Sequence, residues 1–336
     1  MARRVIAVVC GGDSGEREVS LRSAKGIYNE FDRERWEPYI IEIYGRDWTA
    51  HVGEQRVAVD KNDFSFPVGS QRVRPCFAFI IIHGRPGEDG RLQGYLDMMG
   101  IPYSTSGVLQ EALTFNKFVL NQYLRGWGVS IAESLLLRRS TMSAVSDEEI
   151  VQKLGLPVFV KPNQDGSSLG VTKVKSLEAL RPAILRAMES GDEVIIESFL
   201  EGTEVTCGCY KTQWGEHLLP VTEVVPKVEF FDYDAKYNGA VEEITPARIA
   251  QELTQRVQRL TGAIYDILGC RGIIRVDYIL TGPEEAKKIN LLEINTVPGM
   301  TATSFIPQQL RAAGLELREV LSELISDKIG AEESEE

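Results

Sequence analysis

Residues Val5 to Cys10 form an unbroken apolar run. A strand without polar alternation needs cover on both faces, as a central strand of a helix-covered parallel sheet has. Gly11 to Gly15 then makes a loop, and Glu18 to Phe31 has helical character. Tyr39 to Ile43 and Phe77 to Ile82 read as further strands, and Leu92 to Met99 as a helix. Gly100 to Tyr103 leads into a short strand. This alternation predicts an open α/β sheet over residues 1–105, with functional loops at the carboxyl ends of its strands.

From about residue 106 the pattern becomes α+β. Leu113 to Arg125 is expected as one helix carrying Lys117, and Asp147 to Leu154 as another. Strands at Pro157–Lys161 and Val171–Val174 flank a loop rich in glycine and serine, Asp165 to Gly170. A helix over Leu177–Ser190 and a strand over Glu193–Glu197 complete a unit spanning 106–200. The last unit, 201–336, holds a strand at Glu204–Lys211, a helix at Pro246–Leu268, strands at Ile273–Leu280 and Ile289–Asn295, and a closing helix at Leu315–Ile325. Val224 to Ala240 is polar-aromatic and has no clear period. No internal repeat is present, and only the Glu-rich tail is of low complexity.

With 336 residues, 43% of them hydrophobic, the chain has apolar mass for large cores without disulfides or metals. The five cysteines, at 10, 76, 207, 209 and 270, contain no Cys-x-x-Cys, so free thiols are expected. Lys and Arg number 37 against 49 Asp and Glu, a net charge of -12. Such an acidic chain is a poor nonspecific nucleic-acid binder, because that binding rests on neutralising phosphates. The first apolar run is too short for a secretory leader, and nothing approaches the ~18 apolar residues of a membrane span. A soluble cytoplasmic protein is expected, without nucleic-acid or membrane partners.

Four stretches carry chemistry. On Ile273 to Tyr278, period two puts Arg275 and Asp277 on one face and Ile274, Val276 and Tyr278 on the other. On Leu291 to Asn295, Glu293 and Asn295 share a face while Leu292 and Ile294 oppose them. Paired as a hairpin, these strands gather two carboxylates and an amide oxygen beside one Arg, a donor set suited to Mg2+. The second stretch, Asp165 to Gly170, is able to close over phosphates with Lys117 and Lys161 nearby, and alone it reads equally as a turn. The third, Gly11 to Ser20, opens a helix whose N-terminus favours anions, where Glu16 is able to hold an ammonium; alone it reads better as a capped helix start with incidental acids. The fourth, His83 to Gly90, ends a strand at the sheet's carboxyl edge; alone it too reads as a surface turn. His51 and His217 read as structural, and Cys207 with Cys209 lacks further zinc ligands. No Walker A or Gly-x-Gly-x-x-Gly motif occurs, and Gly166 to Gly170, which spells Gly-x-Ser-x-Gly, lies between two expected strands and not at the strand-to-helix turn of a nucleophile elbow.

Six motifs in order resemble the D-alanine–D-alanine ligases, a family with the ATP-grasp fold. They are Gly11 to Ser20, His83 to Gly90, Lys161 to Gly170, Tyr233 to Tyr237, Arg275 to Asp277 and Glu293 to Thr301. The resemblance spans about Val5 to Ile325. It implies an N-terminal α/β domain holding the first D-alanine, and two α+β subdomains that hold ATP between them. The implied reaction joins two D-alanines with ATP, through a D-alanyl phosphate, for peptidoglycan precursors. A homodimer is implied as well. D-alanine–D-lactate ligase, or another ATP-grasp carboxylate–amine ligase, is the alternative. A catalytically silent nucleotide-binding protein is a third reading, which the intact charged residues oppose.

The resemblance assigns roles by position. Asp277, Glu293 and Asn295 match ligands of two Mg2+ ions, or Mn2+, with Glu293 bridging. Lys117, Lys161 and Ser168 match ATP phosphate contacts; Glu197, Phe199 and Leu200 match the adenine hinge, and Glu204 the ribose acid. Arg275 and the Gly299 N–H match oxyanion stabilisers. Glu16 and His83 match the first D-alanine site, and Ser304 with Lys236 the second. Glu16, Ser167 and Tyr237 match a hydrogen-bonded triad that closes a loop over the site. Relatives that make D-alanyl-D-lactate tend to carry His or Phe at the Tyr237 position, so Tyr237 favours the dipeptide. Ser198 stands where many relatives have Lys, and Thr105 where glycine is usual.

Overall fold

A computed structural model describes residues 3–164, 170–226 and 241–330. Among these, the secondary structure forms three main sheets packed around four hydrophobic cores.

The first sheet is built from β1 (Arg4–Gly11), β2 (Trp36–Tyr44), β3 (Asp47–Val52), β4 (Gln55–Ala58) and β7 (Phe77–Ile80); β5 (Phe66–Val68) and β6 (Gln71–Val73) make a small separate ribbon. The order across the sheet is β4-β3-β2-β1-β7. β1 lies between β2 and β7 and is parallel to both. Its alternate residues enter two different cores. Ile6, Val8 and Cys10 face one, and Ala7 and Val9 face the other. The unbroken apolar run is thereby explained: each face of β1 has its own cover. On the first face lie α1 (Arg17–Glu30) and residues from the far end of the chain. On the second lies α2 (Arg91–Met99), through Leu92 and Leu96.

The second sheet comprises β8 (Ser134–Arg138), β9 (Val158–Pro162), β10 (Thr172–Val174) and β11 (Glu193–Ser198). Its order is β10-β9-β11-β8, and it is antiparallel throughout. Between the first two sheets in sequence come α3 (Val108–Phe115) and α4 (Lys117–Arg125). The single helix expected over Leu113–Arg125 is therefore two. Asn116 takes an extended conformation between them, and its side chain accepts the Val119 N–H as an N-cap. Helices α5 (Asp147–Leu154) and α6 (Leu177–Ala187) cover the sheet.

The strands of the third sheet are β12 (Thr203–Thr212), β13 (Gly215–Leu218), β14 (Thr222–Pro226), β15 (Val241–Ile244), β16 (Ile274–Thr281) and β17 (Lys288–Asn295). They run β15-β14-β12-β16-β17, with β13 paired to β12. Helix α7 (Gln251–Leu268) packs Leu253, Val257, Ile264 and Leu268 against this sheet, a spacing that keeps one face inward. Leu120 and Leu124 of α4 join the same core, so α4 rests on the third sheet.

Two closing helices, α8 (Phe305–Ala312) and α9 (Leu317–Ile329), return to the first sheet. Ile306, Leu310, Val320, Leu321, Leu324 and Ile325 share a core with Ile6, Val8 and Phe79. The chain's two ends are thus held in one core. All five cysteines are free. Among the described residues, no helix is long and apolar enough to cross a membrane.

Leu321 is fully buried in this shared core, whereas Leu109 on α3 is 71% exposed. Leu321→Ala is expected to cost roughly 2–5 kcal/mol in urea unfolding. Leu109→Ala is expected to stay within about 0.5 kcal/mol. Equal effects would contradict the closing role of α9.

Candidate active site

The centre of the site is built by strand pairing. β16 and β17 are antiparallel, with Arg275 opposite Asn295 and Asp277 opposite Glu293. The period-two reading thus meets its expected partner. Immediately beyond, the register shifts so that Tyr278 pairs with Leu291. Leu292 is left as the extra residue of a bulge, and it lines the cavity beside Glu293 instead of opposing it.

Arg275 Nε and Nη2 donate to the two oxygens of Asp277 at 2.9 and 2.8 Å. Both side chains are nearly buried, and Glu293 Oε1 lies 3.9 Å from Arg275 Nη2. The guanidinium also sits 5.2 Å from the Phe305 ring centroid. Burial opposes the Arg275 charge, but attraction and hydrogen bonding from Asp277, with help from Glu293, raise its basicity above the ordinary arginine value.

The second sheet and α4 supply two lysines. Lys161 Nζ is 2.6 Å from Glu197 Oε2, and Asn121 of α4 donates to Glu197 Oε1 at 2.9 Å. Lys117 is the first residue of α4. Burial foremost, with Lys161 acting in the same sense and Glu293 against it, holds the Lys117 ammonium below the usual lysine range. At the edge of this sheet, Phe159 and Phe199 pack with centroids 5.9 Å apart, and Lys173 Nζ lies 3.5 Å from the Phe199 centroid. Ser198 turns its hydroxyl to the Leu154 carbonyl at 2.8 Å.

Two loops at the carboxyl end of the first sheet bring Glu16 and His83. They approach closely because Gly12 has φ +93°, and a Cβ there would sit 2.9 Å from the Arg85 carbonyl oxygen. The Asp13 N–H donates to that oxygen at 2.9 Å, and Ser14 Oγ donates to the His83 carbonyl at 2.6 Å. His83 Nδ1 donates to the Val297 carbonyl at 2.8 Å, since a carbonyl only accepts. This fixes the ring against the segment that follows β17. Ser304 heads α8, and its Oγ accepts the Thr301 N–H at 3.1 Å.

These groups meet in one cavity of about 1230 Å³. Lys117, Lys161, Glu197, Phe199, Leu200 and Glu204 line it. So do Arg275, Asp277, Glu293 and Asn295, and so do Glu16, His83, Gly299 and Ser304. Every expected site residue within the described segments is therefore at the cavity. Ser167, Ser168, Lys236 and Tyr237 lie outside the described residues.

Two family models match in tandem: D-ala D-ala ligase N-terminus over residues 5–106, and D-ala D-ala ligase C-terminus over residues 123–326. The chain belongs to the D-alanine–D-alanine ligase family. The D-alanine–D-alanine ligase of Bacteroides fragilis strain YCH46 is 61% identical over 327 residues, covering 97% of this chain and 99% of the relative. Among solved structures, the VanG D-Ala:D-Ser ligase from Enterococcus faecalis aligns with a TM-score of 0.85 at 32% identity, over 97% of this chain and 99% of that one. The D-alanine–D-alanine ligase from Bacillus anthracis complexed with ATP aligns with a TM-score of 0.75 at 26% identity, over 97% of each chain. The fold of this ligase-family chain is the ATP-grasp fold that the sequence resemblance implies.

Several polar residues around the ligase cavity escape sequence reasoning. Asn121 and Asn163 read as ordinary helix and loop residues. Glu111 is wholly buried in α3, where it accepts the Thr296 hydroxyl next to Asn295. Burial foremost pushes its carboxyl well above the carboxylate range. Thr105, the departure at the end of the first unit, has a clear partner: its hydroxyl accepts from Gln93 Nε2 at 3.0 Å. Glu88, in the His83 to Gly90 motif, accepts the Gly84 N–H at 2.5 Å. Burial and then the nearby Glu16 push its carboxyl up from 4.5 to about 8.

An acid that binds its proton more tightly in the folded state stabilises the fold below its unfolded pKa. That contribution is lost as pH rises through the folded pKa. For Glu88 the window runs from about 4.5 to about 8. Glu88→Gln is therefore expected to gain in urea midpoint relative to the parent as pH rises from about 5 to about 9. A difference that stays constant across this range would contradict the assignment.

Proposed function

We propose that this chain joins two D-alanines into D-alanyl-D-alanine at the expense of ATP, releasing ADP and phosphate, for peptidoglycan precursor synthesis. The observation that carries the reading is the cavity's sorted chemistry. Two lysines, an oxygen-rich strand pair, and an acid and a histidine on the first sheet's loops all line it. The relatives' names support the same reaction, and the Bacillus anthracis enzyme is described with ATP.

In this reading, adenine lies along Phe199, Leu200 and the backbone near Glu197, and Glu204 takes the ribose hydroxyls. Lys117 and Lys161 hold the phosphates, with Ser168 from the glycine-serine loop. The donors Asp277, Glu293 and Asn295 fit Mg2+ or Mn2+: all are oxygens, and Arg275 uses one hydrogen bond per Asp277 oxygen, leaving lone pairs on both. Among the described residues no three His, Cys, Asp or Glu side chains form a cation cage. Mg2+ commonly takes one or two carboxylates and completes its shell with phosphate oxygens and water. When bound, the ions supply charge neutralisation at the phosphates.

Glu16 takes the ammonium of the first D-alanine, and His83 lies near its carboxylate. Direct amine attack on a carboxylate would expel oxide, so the carboxylate is first activated. One of its oxygens bonds to the γ-phosphorus, and the bond to ADP breaks. The deprotonated amine of the second D-alanine then bonds to the acyl carbon, and the C–O bond to phosphate breaks. Arg275, already oriented by Asp277, and the Gly299 N–H stabilise the tetrahedral oxyanion between these events. Ser304 with Lys236 anchors the second carboxylate. Glu16, Ser167 and Tyr237 form the closing triad, which excludes water from the acyl phosphate. Tyr237 favours an amine over lactate as the second substrate. The same reading divides the chain at about residues 105 and 200 and implies a cytoplasmic homodimer.

The test is phosphate release from ATP and Mg2+ with D-alanine, L-alanine, D-alanine plus D-lactate, or D-alanine plus D-serine, with products identified by mass. Release is expected in every mixture that contains D-alanine, with D-alanyl-D-alanine as the main product, and not with L-alanine; dominance of a mixed product would contradict the specificity. Glu293→Gln is expected to cut turnover by on the order of 100-fold or more, with the circular dichroism unchanged. Near-normal turnover in that variant would remove Glu293 from the site.

A further inference from the structure

Asn163 stands two residues beyond Lys161, just past the end of β9, and is wholly buried. None of the roles above uses it. Its N–H donates to the Glu193 carbonyl at 3.1 Å, and its own carbonyl accepts the Lys117 N–H at 3.1 Å. Its Oδ1 accepts the Phe118 N–H at 2.9 Å. Its Nδ2 donates to Asn116 Oδ1 at 3.0 Å and to Glu193 Oε2 at 2.7 Å. The amide orientation follows from its neighbours, because a backbone N–H only donates and a carboxylate only accepts. Glu193 is held in turn by Arg138 Nε at 2.9 Å.

The first N–H groups of a helix have no partner within it. In α4 those of Lys117 and Phe118 are taken by Asn163, while Asn116 caps Val119 from within. One residue of the second sheet therefore holds the head of the helix that begins with Lys117. The same residue follows Lys161 closely along β9. A second tie, Lys161 to Glu197 to Asn121, joins the same strand and helix one turn further on.

We propose that Asn163 is a positioning residue for the nucleotide phosphates: its amide sets the separation of Lys117 from Lys161. This rests on the reading of both lysines as phosphate ligands. An amide is required because Asn163 meets donors on one side and acceptors on the other. Asp would still accept from Phe118, but it would put an oxygen against Glu193 Oε2 and Asn116 Oδ1, where two N–H bonds were. The head of α4, with Lys117, would then move from β9.

The test compares the parent with Asn163→Asp, Glu193→Gln and the double variant Asn163→Asp/Glu193→Gln. ATP affinity is measured by calorimetry, and KM for ATP and D-alanine in the steady state. Asn163→Asp is expected to weaken ATP by ~10- to 100-fold, with the D-alanine KM at saturating ATP changed less than about twofold. The double variant is expected to recover most of the ATP affinity. The amide it introduces at position 193 donates its N–H to the new carboxylate at position 163, and the oxygen of that amide still accepts from Arg138. Parent-like ATP affinity in Asn163→Asp, or equal losses for both substrates without recovery, would overturn the proposal. Should Asn163→Asp fail to fold, Asn163→Ala takes its place on the same ATP-against-D-alanine criterion. Lys117→Met separates the two readings. If it loses ATP affinity and the Asn163 variants do not, the positioning role alone falls. If it keeps ATP affinity, the phosphate role of Lys117 falls and the positioning role falls with it.

Discussion

Arg275 and Asp277 are two residues apart on one strand, nearly buried, and joined by two hydrogen bonds. A buried guanidinium without its carboxylate would be strongly destabilising, on the order of 3–5 kcal/mol. The pair therefore fixes which way this face of β16 points. β16 is flanked by β12 and β17 along the whole face, so it has little freedom to slide. From that fixed strand the rest of the site is set out: Glu293 across from Asp277, Asn295 across from Arg275, and Phe305 beneath the guanidinium. The bulge at Leu292 then offers an apolar side chain to the same cavity beside the acids.

Around this centre, parts of distant sheets are tied by polar contacts, not by shared cores alone. Helix α4 rests its apolar side on the third sheet through Leu120 and Leu124. Its polar side reaches the second sheet through Asn121 and, at its head, through Asn163. His83 of the first sheet's loops meets the Val297 carbonyl just after β17. The cavity therefore has walls from all three sheets, each held by hydrogen bonds whose geometry a small shift would break. The apolar closing helices complete the arrangement by returning the chain's end to the first sheet.

The parts of this design visible in the sequence are those set by local period. The uniform run Val5 to Cys10 announces a doubly covered strand. The alternation around Arg275, Asp277, Glu293 and Asn295 announces the acidic face. The Gly12 loop and the His83 motif announce the sheet's functional edge. What the sequence hides is set by distant partners. The break at Asn116 is stabilised by Asn163, which lies 47 residues away along the chain. The Leu292 bulge depends on the pairing with β16, and period two alone places that side chain on the wrong face. Strands β4 and β6 are short and largely exposed, so they lack the apolar pattern by which a strand is recognised. α8 is short and begins just after a Gly- and Thr-rich turn, and its core partners stand at the other end of the chain.

The central claim is that this cavity activates a carboxylate by moving a phosphoryl group onto it before an amine attacks. D-alanine labelled with 18O in its carboxyl group tests this directly, with released phosphate and dipeptide examined by mass after turnover with unlabelled ATP. The oxygen that bonds to phosphorus leaves with the phosphate, so phosphate carrying one 18O per peptide bond formed is the predicted result. Unlabelled phosphate alongside labelled dipeptide would contradict the account, because the carboxylate would then never have been phosphorylated.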